Sequence, residues 1–303
     1  MDHKYILVDV FTDQPLSGNP LAVFPDARGL SDRAMQALAR EINLAETTFV
    51  LPARLDGALR RVRIFTPRSE LPFAGHPTIG TAAALAHLGI LEWHGGSAKA
   101  TLEEGVGPVR VTVSRGVAPF FTELTLAPSV ELPAVRPDRV HLAAALSLDP
   151  TDILDGWFAS VGLPFCFAHI ASRGAVDRAR LERSAWRDAI ASGWSPHLYF
   201  FAGDLGSDAR HATLHARMFA PALGVEEDPA TGSAAAALAG TLAARADGMD
   251  ANVALDIEQG VAMGRPSRMH ASATKRAGVV DRVSVAGSSV IVGRGTMHVP
   301  DGY

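Results

Sequence analysis

The stretch Arg217-Met-Phe-Ala-Pro-Ala-Leu-Gly-Val-Glu-Glu-Asp-Pro-Ala-Thr-Gly-Ser-Ala-Ala-Ala-Ala-Leu238 reads as a strand, a turn and the start of a helix. Met218 and Ala220 alternate with Arg217 and Phe219, and Pro221 ends the strand because it has no amide to give to a ladder. Asp228-Pro229 reads as a helix opening, with Asp228 as N-cap and Pro229 in the first turn, ahead of an alanine run that favours helix. Gly232 and Ser233 then fall in or beside the first turn. Free amides and the positive end of the helix dipole make that turn a seat for a carboxylate or phosphate.

The chain carries the same signal twice. Arg63-Ile-Phe-Thr-Pro67 matches Arg217-Met-Phe-Ala-Pro221, and Gly80-Thr-Ala-Ala-Ala84 matches Gly232-Ser-Ala-Ala-Ala236. An apolar run precedes each, Thr47-Thr-Phe-Val-Leu51 and Leu198-Tyr-Phe-Phe-Ala202. The offsets lie near half of the 303 residues, which indicates a duplicated domain and not a solenoid of short repeats. Two like halves imply one cleft, with the openings of both Ala-rich helices directed toward it.

A chain of 303 residues is long enough for two cores. A net charge of −4 with interspersed signs offers no basic stripe, so nucleic acid is not expected as a partner. The N-terminus reaches Asp9 after a short apolar run and reads as a first strand, not a signal sequence. The longest apolar helix, Ser233 to about Ala244, is too short for a bilayer, so a cytoplasmic protein without membrane partners is expected. With Cys166 as the only cysteine, the chain has no internal disulfide, no cysteine metal cluster and no paired-thiol catalysis.

Along the chain, strands are expected at Tyr5–Phe11 and Leu21–Phe24, and then a helix capped by Ser31, with Met35, Leu38, Ala39 and Ile42 on one face. Glu46 follows at a helix-to-strand junction among hydroxyls and apolar residues. Strands near 59–65, 99–102, 109–113 and 120–126 complete the first half, and Pro128 to Pro137 forms a crossover. The second half reads as a strand at Pro164–Ile170, a helix near Ala175–Ser192, and strands at 198–201, 212–219, 253–258, 279–285, 290–292 and 296–299. His76, just before Pro77, is placed as N-cap of the first Ala-rich helix.

Taken singly, Glu46 is an ordinary strand-end carboxylate, and His76 and Asp228 are ordinary caps. The duplication gives them further meaning, because it brings His76, Asp228, Gly232 and Ser233 to one interface with Glu46 as a nearby base. His211 and His215 have the i,i+4 spacing of a zinc helix, but Ala212 stands where that motif has its glutamate and the segment alternates as a strand. No metal is expected. Neither Gly105-Val-Gly107 nor Gly293-Arg-Gly295 is a nucleotide loop, and no nucleophile elbow occurs.

Ser17-Gly-Asn-Pro-Leu-Ala-Val-Phe24, Asn43-Leu-Ala-Glu-Thr-Thr-Phe49, Phe73-Ala-Gly-His-Pro-Thr-Ile-Gly80, Arg217-Met-Phe-Ala-Pro221, Glu227-Asp-Pro-Ala-Thr-Gly-Ser233 and Gln259-Gly-Val-Ala-Met-Gly-Arg-Pro-Ser267 together resemble the phenazine-biosynthesis PhzF family. The resemblance implies an α+β fold like that of diaminopimelate epimerase: two pseudo-symmetric domains, each a curled mixed sheet around a central helix, with the active site between them. The expected domains are 1–127, with 293–303 as a candidate addition, and 128–292.

By that resemblance Glu46 is the acid/base that moves a proton across a small cyclic amino-hydroxy acid of the dihydro-hydroxyanthranilate type, without cofactor. His76 and Asp228 support it, and Gly75, Thr231, Gly232 and Ser233 hold the substrate's carboxylate. A homodimer is implied as well. Racemases of this fold place a cysteine at each helix opening, where this chain has Ala74 and Ala230, so a two-thiol mechanism is excluded. A single carboxyl can serve if its pKa lies near working pH, and burial beside Leu44 and Phe49 is expected to raise it. The competing expectations are an epimerase using carboxyl and histidine, and a carboxylate-binding protein without turnover.

Overall fold

Some strands, such as those at 107–114, 251–259 and 267–276, alternate between buried and more exposed side chains, others, such as 46–51 and 198–202, are buried almost throughout, and two helices are buried nearly all round. This pattern organises the computed structural model, which describes residues 1–115, 120–126, 129–205, 211–300 and 302–303. The chain divides into unit 1, Met1–Leu126 with Ala286–Tyr303, and unit 2, Ala127–Val285.

Unit 1 contains β1 (Asp2–Val10), β2 (Asn19–Phe24), α1 (Asp32–Ile42), β3 (Glu46–Leu51), β4 (Arg60–Phe65), β5 (Glu70–Leu71), α2 (Gly75–His87), β6 (Ser97–Glu104), β7 (Gly107–Ser114) and β8 (Phe120–Leu126). Strand β1 pairs antiparallel with β2, β2 parallel with β3, β3 antiparallel with β4, β4 parallel with β6, and β6, β7 and β8 form an antiparallel run. Ser31 accepts the Ala34 amide to start α1, and Asn43 ends it in the left-handed conformation. The apolar face of α1 packs on Phe24, Phe49 and Phe65, whose rings stack at 4.9 Å and meet edge-on at 5.4 Å.

Helix α2 has no polar face. Every residue from Gly75 to Ala86 is buried, and the helix touches β1, β2, β3, β7 and β8, so the sheet curls round it. Gly80 makes this possible: a Cβ there would lie 2.6 Å from both Leu21 Cδ2 and Val10 Cγ2 and would push the helix off the strands.

Unit 2 contains α3 (Arg139–Leu146), β9 (Ile153–Ser160), β10 (Pro164–Ile170), α4 (Arg173–Arg178), α5 (Arg183–Ala189), β11 (Leu198–Ala202), β12 (His211–Phe219), α6 (Gly232–Arg245), β13 (Ala251–Gln259) and β14 (Ser267–Arg276). From β10 onward the pairings run parallel, antiparallel, parallel, antiparallel through β11, β12, β13 and β14, the same order as β2, β3, β4, β6 and β7. Helix α6 is the counterpart of α2, small-residue and largely buried against β9, β10, β13 and β14. The residues of α3, α4 and α5 cover a second core that includes Phe158, Cys166, Phe200 and Phe219. Strand β15 (Val279–His298) leads the chain from unit 2 into unit 1, where it pairs antiparallel with β1, Asp2 opposite His298.

Several local expectations are corrected. The three strands expected at 279–285, 290–292 and 296–299 are the single strand β15; the intervening glycines do not break it, because Gly295 leaves the place of its side chain to the Tyr5 ring across the ladder, 2.5 Å from where a Cβ would sit. The helix expected at 175–192 is two helices. Arg217 Nη1 takes the carbonyls of Val176 and Ala179 at 3.0 and 2.9 Å, and the amides of Arg180 and Glu182 turn to Leu146 and Ala145, so the ladder stops between α4 and α5. Helix α3 and strands β9 and β14 carry no expectation from the sequence. Residues 127 and 128, where the boundary was placed and the crossover begins, lie outside the described residues.

Candidate active site

In unit 1 the site residues come from three segments. Asn43 turns the chain out of α1, and Glu46 opens β3 opposite Leu21 of β2, half-buried, as its junction position suggests. Thr48, two residues on, has its hydroxyl 2.9 Å from that of Thr81, which ties β3 to α2. Asn19 is the first residue of β2, where the loop from β1 ends. That loop is held by Asp9, whose carboxylate accepts the Leu16 amide at 2.7 Å, and by Gly18 at φ +67°, where a Cβ would lie 2.3 Å from the Val10 carbonyl.

His76 does not cap α2. The cap position is Ala74, which has no capping side chain, and Gly75 and His76 are the first two helical residues. Freed from capping, the imidazole reaches Asn19 Nδ2 with Nδ1 at 3.3 Å and Glu46 Oε2 with Nε2 at 3.5 Å. Burial pushes its pKa down to about 3, against a small opposing effect of the Pro20 carbonyl. The ring is therefore neutral at working pH, and its contact with Glu46 is that of an imidazole and a carboxyl group, not an ion pair. The amides of Gly75 and His76 have no acceptor within the helix, and Pro77 has no amide at all.

In unit 2 the corresponding opening is built differently from the expectation. Asp228 is not the N-cap and Pro229 is not in the first turn: α6 starts at Gly232 with Thr231 at the cap position, and Asp228 lies three residues earlier. Its carboxylate accepts the Thr231 hydroxyl at 2.6 Å. The competitor that keeps this loop out of the helix is Gln259, wholly buried at the end of β13. Its Nε2 donates to the Asp228 carbonyl at 2.7 Å and to Thr231 Oγ1 at 3.0 Å, and its Oε1 accepts the Thr231 amide at 3.3 Å. Gly232 and Ser233 are the first two residues of α6 and lack intrahelical acceptors for their amides. Tyr199 of β11 is fully buried, and burial, then the charge of Asp228, raises the pKa of its phenol.

Thus Glu46, Gly75 and His76 are gathered in unit 1, and Asp228, Thr231, Gly232 and Ser233 in unit 2. The sequence assigns no site role to Asn19 or Gln259, although each is a polar residue beside a glycine at a strand end. The duplicated arginines have a common structural role: Arg63 forms a two-pronged pair with Glu70 at 2.7 and 2.6 Å, and Arg217 with Glu227 at 2.8 and 2.9 Å, each guanidinium lying about 5 Å from the ring of Phe65 or Phe219.

His211 and His215 lie on strand β12. His215 sits between Asp177 at 2.7 Å and Glu258 at 3.1 Å, and His211 faces Asp256 at 3.1 Å. Among the described residues, no group of three or more histidine, cysteine or acidic side chains is arranged to hold a metal ion, and no helix is long and apolar enough to cross a membrane. Cys166 is buried in β10, where desolvation pushes its thiol pKa upward, so it behaves as a small hydrophobe.

Residues 8–295 match the family model described as phenazine biosynthesis-like protein, PhzC-PhzF. This chain belongs to the PhzF family. Among its PhzF relatives, an uncharacterized isomerase of Mesorhizobium japonicum is 41% identical over 98% of this chain and 99% of its own. The trans-2,3-dihydro-3-hydroxyanthranilate isomerase of Pseudomonas chlororaphis is 40% identical over 97% and 99%. The crystal structure of a Bacillus anthracis PhzF-family protein superposes with a TM-score of 0.84 at 25% identity, covering 99% of this chain and all of the other. The fold is the diaminopimelate epimerase-like α+β fold, and the chain is a PhzF-like isomerase in class.

Proposed function

We propose that this protein isomerises a small cyclic amino-hydroxy acid of the trans-2,3-dihydro-3-hydroxyanthranilate type by moving one proton, with Glu46 as the acid/base and no cofactor. The observation that carries the reading is the Glu46 carboxyl standing 3.5 Å from a buried, neutral His76 beside the free amides that open α2. In this scheme the Glu46 carboxylate removes a proton from one ring carbon, the double-bond electrons shift, and the resulting carboxylic acid returns the proton to another ring carbon. The process is redox-neutral and needs no external reductant. A neutral His76 donates or accepts a hydrogen bond without adding charge, which leaves the carboxyl as the proton carrier. Gly75, Thr231, Gly232 and Ser233 are assigned to the substrate's carboxylate through helix-opening amides, and Asp228 to its polar substituents.

The relatives named as trans-2,3-dihydro-3-hydroxyanthranilate isomerases support the substrate class. The test is incubation with that substrate in D₂O, following ultraviolet absorbance and deuterium uptake together. A moved double bond with the expected absorbance change supports the isomerase. Inversion of a stereocentre with no absorbance change supports the epimerase reading instead, and binding with neither change supports a non-catalytic role.

A further inference from the structure

Glu104, at the end of β6, is buried beneath the opening of α2 and has no place in the scheme above. Thr78 Oγ1 lies 2.7 Å from Glu104 Oε1 and 2.7 Å from the Ala74 carbonyl. A hydroxyl has one proton. The Ala74 carbonyl can only accept, so Thr78 must donate there, and the equally short contact to Glu104 then requires the carboxyl to be the donor. Glu104 Oε2 is buried and has no hydrogen-bond partner among the described residues, an arrangement suited to a neutral acid's carbonyl oxygen and not to a carboxylate.

The duplication supplies an independent observation. Gln259 ends β13 as Glu104 ends β6, and each is followed by a glycine pressed against a proline: a Cβ on Gly105 would lie 2.7 Å from Pro72 Cα, and one on Gly260 would lie 2.6 Å from the Pro229 carbonyl oxygen. Pro72 and Pro229 each stand three residues before the first helical residue, Gly75 or Gly232. The side chain at the strand end reaches the helix opening in both units. In unit 2 that side chain is an amide, which is always neutral.

We propose that Glu104 is a neutral carboxylic acid that fixes the opening of α2 through Thr78 and Ala74, as Gln259 fixes the opening of α6. It is a positioning residue for Gly75 and His76, and this part rests on the proposed function. Burial raises its pKa to about 8. Among the described residues no charged side chain is paired with it: on β6 Glu103 accepts the amides of Arg54 and Leu55 and faces Arg61, on α2 His76 faces Asn19 and Glu46, and across the ladder on β7 stands Gly107.

Three measurements on the full chain test this. Difference infrared spectra of wild type against Glu104→Gln should contain a protonated-carboxyl band at neutral pH that disappears as pH rises past about 8. An ionised carboxylate at neutral pH overturns the proposal, whether or not any substrate turns over. Thermal stability gives the second readout. An unfolded glutamate ionises near 4.5 while the folded one stays neutral to about 8, so wild type should lose stability relative to Glu104→Gln across that window, the difference being constant below it and constant again, at a less favourable value for wild type, above it. A flat difference overturns the proposal. Kinetics give the third: Glu104→Ala should lower kcat/KM by about ten- to a hundredfold, Glu104→Gln should restore most of it, and the wild-type decline above pH 8 should be absent from Glu104→Gln. If Gln is as impaired as Ala, the acid has a role beyond positioning and the proposal fails. If wild type turns over no substrate, the functional reading fails while the first two measurements still decide the state of Glu104.

Discussion

The Nε2 of His76 lies 3.5 Å from Oε2 of Glu46, and the ring that approaches this carboxyl is 5% exposed. Hydrogen bonds in unliganded sites are commonly long and tighten on binding, so the separation suits a pair that closes around a substrate. An imidazolium in the same place would hold Glu46 ionised. A neutral ring leaves the carboxyl free to cycle.

That neutrality has a consequence for stability. The folded His76 has a pKa of about 3 against 6.5 ordinarily, so as pH falls from 6.5 toward 3 the unfolded chain takes up a proton that the folded chain does not. Wild type should therefore lose stability through that window, by on the order of a few kcal/mol at about 1.4 kcal/mol per unit. In His76→Gln the loss should be smaller by this contribution. Denaturant unfolding of both proteins between pH 4 and 7 checks it, and identical pH dependences would contradict a buried neutral histidine.

The two duplicated arginines should differ in weight. Arg217 and Glu227 have side-chain exposures of 5% and 16%, and Arg217 also closes the carbonyls at the end of α4, whereas Glu70, the partner of Arg63, is 42% exposed. Breaking a buried pair by removing one partner costs about 3–5 kcal/mol. Arg217→Ala should fall in that range and Arg63→Ala at roughly half of it or less, because water can solvate Glu70. Urea titrations measure both; equal losses would mean that burial does not set the difference.

Gln259→Ala should act on the α6 opening. It removes the amide that holds the Asp228 carbonyl and the Thr231 hydroxyl and amide, a buried network whose loss costs about 1–3 kcal/mol. If Thr231, Gly232 and Ser233 hold the substrate's carboxylate, KM should rise more than kcat falls. A variant with unchanged KM would separate this loop from substrate binding.

The sequence was most legible where a physical rule is local. Ser31 caps α1, the β10 strand runs from Pro164 to Ile170, and Glu46 begins β3 at the junction where its neighbours placed it. The Arg-x-Phe-x-Pro repeat marked equivalent strands because arginine and phenylalanine are both fixed by named partners. The match of Gly80-Thr81 to Gly232-Ser233 was out of register: Gly232 opens α6, but its counterpart opening α2 is Gly75, five residues before Gly80. Runs of alanine carry no register, since each residue fits the neighbouring position equally well. His76 and Asp228 were read as caps because composition favours capping there, and both were overridden by tertiary partners, Asn19 and Glu46 for His76 and Gln259 for the Asp228 loop. Long-range hydrogen bonds of that kind leave no periodic trace in a sequence. The same holds for the split between α4 and α5, which depends on an arginine some forty residues away.

The central claim is that Glu46 carries the proton, and the most direct test compares wild type with Glu46→Gln for deuterium uptake from D₂O by trans-2,3-dihydro-3-hydroxyanthranilate, with calorimetric binding measured alongside. General acid–base catalysis contributes about 10²–10⁴-fold, so the variant should bind the ligand while exchange falls by at least roughly that factor. Exchange at near the wild-type rate in Glu46→Gln would contradict the account and assign the proton to another group.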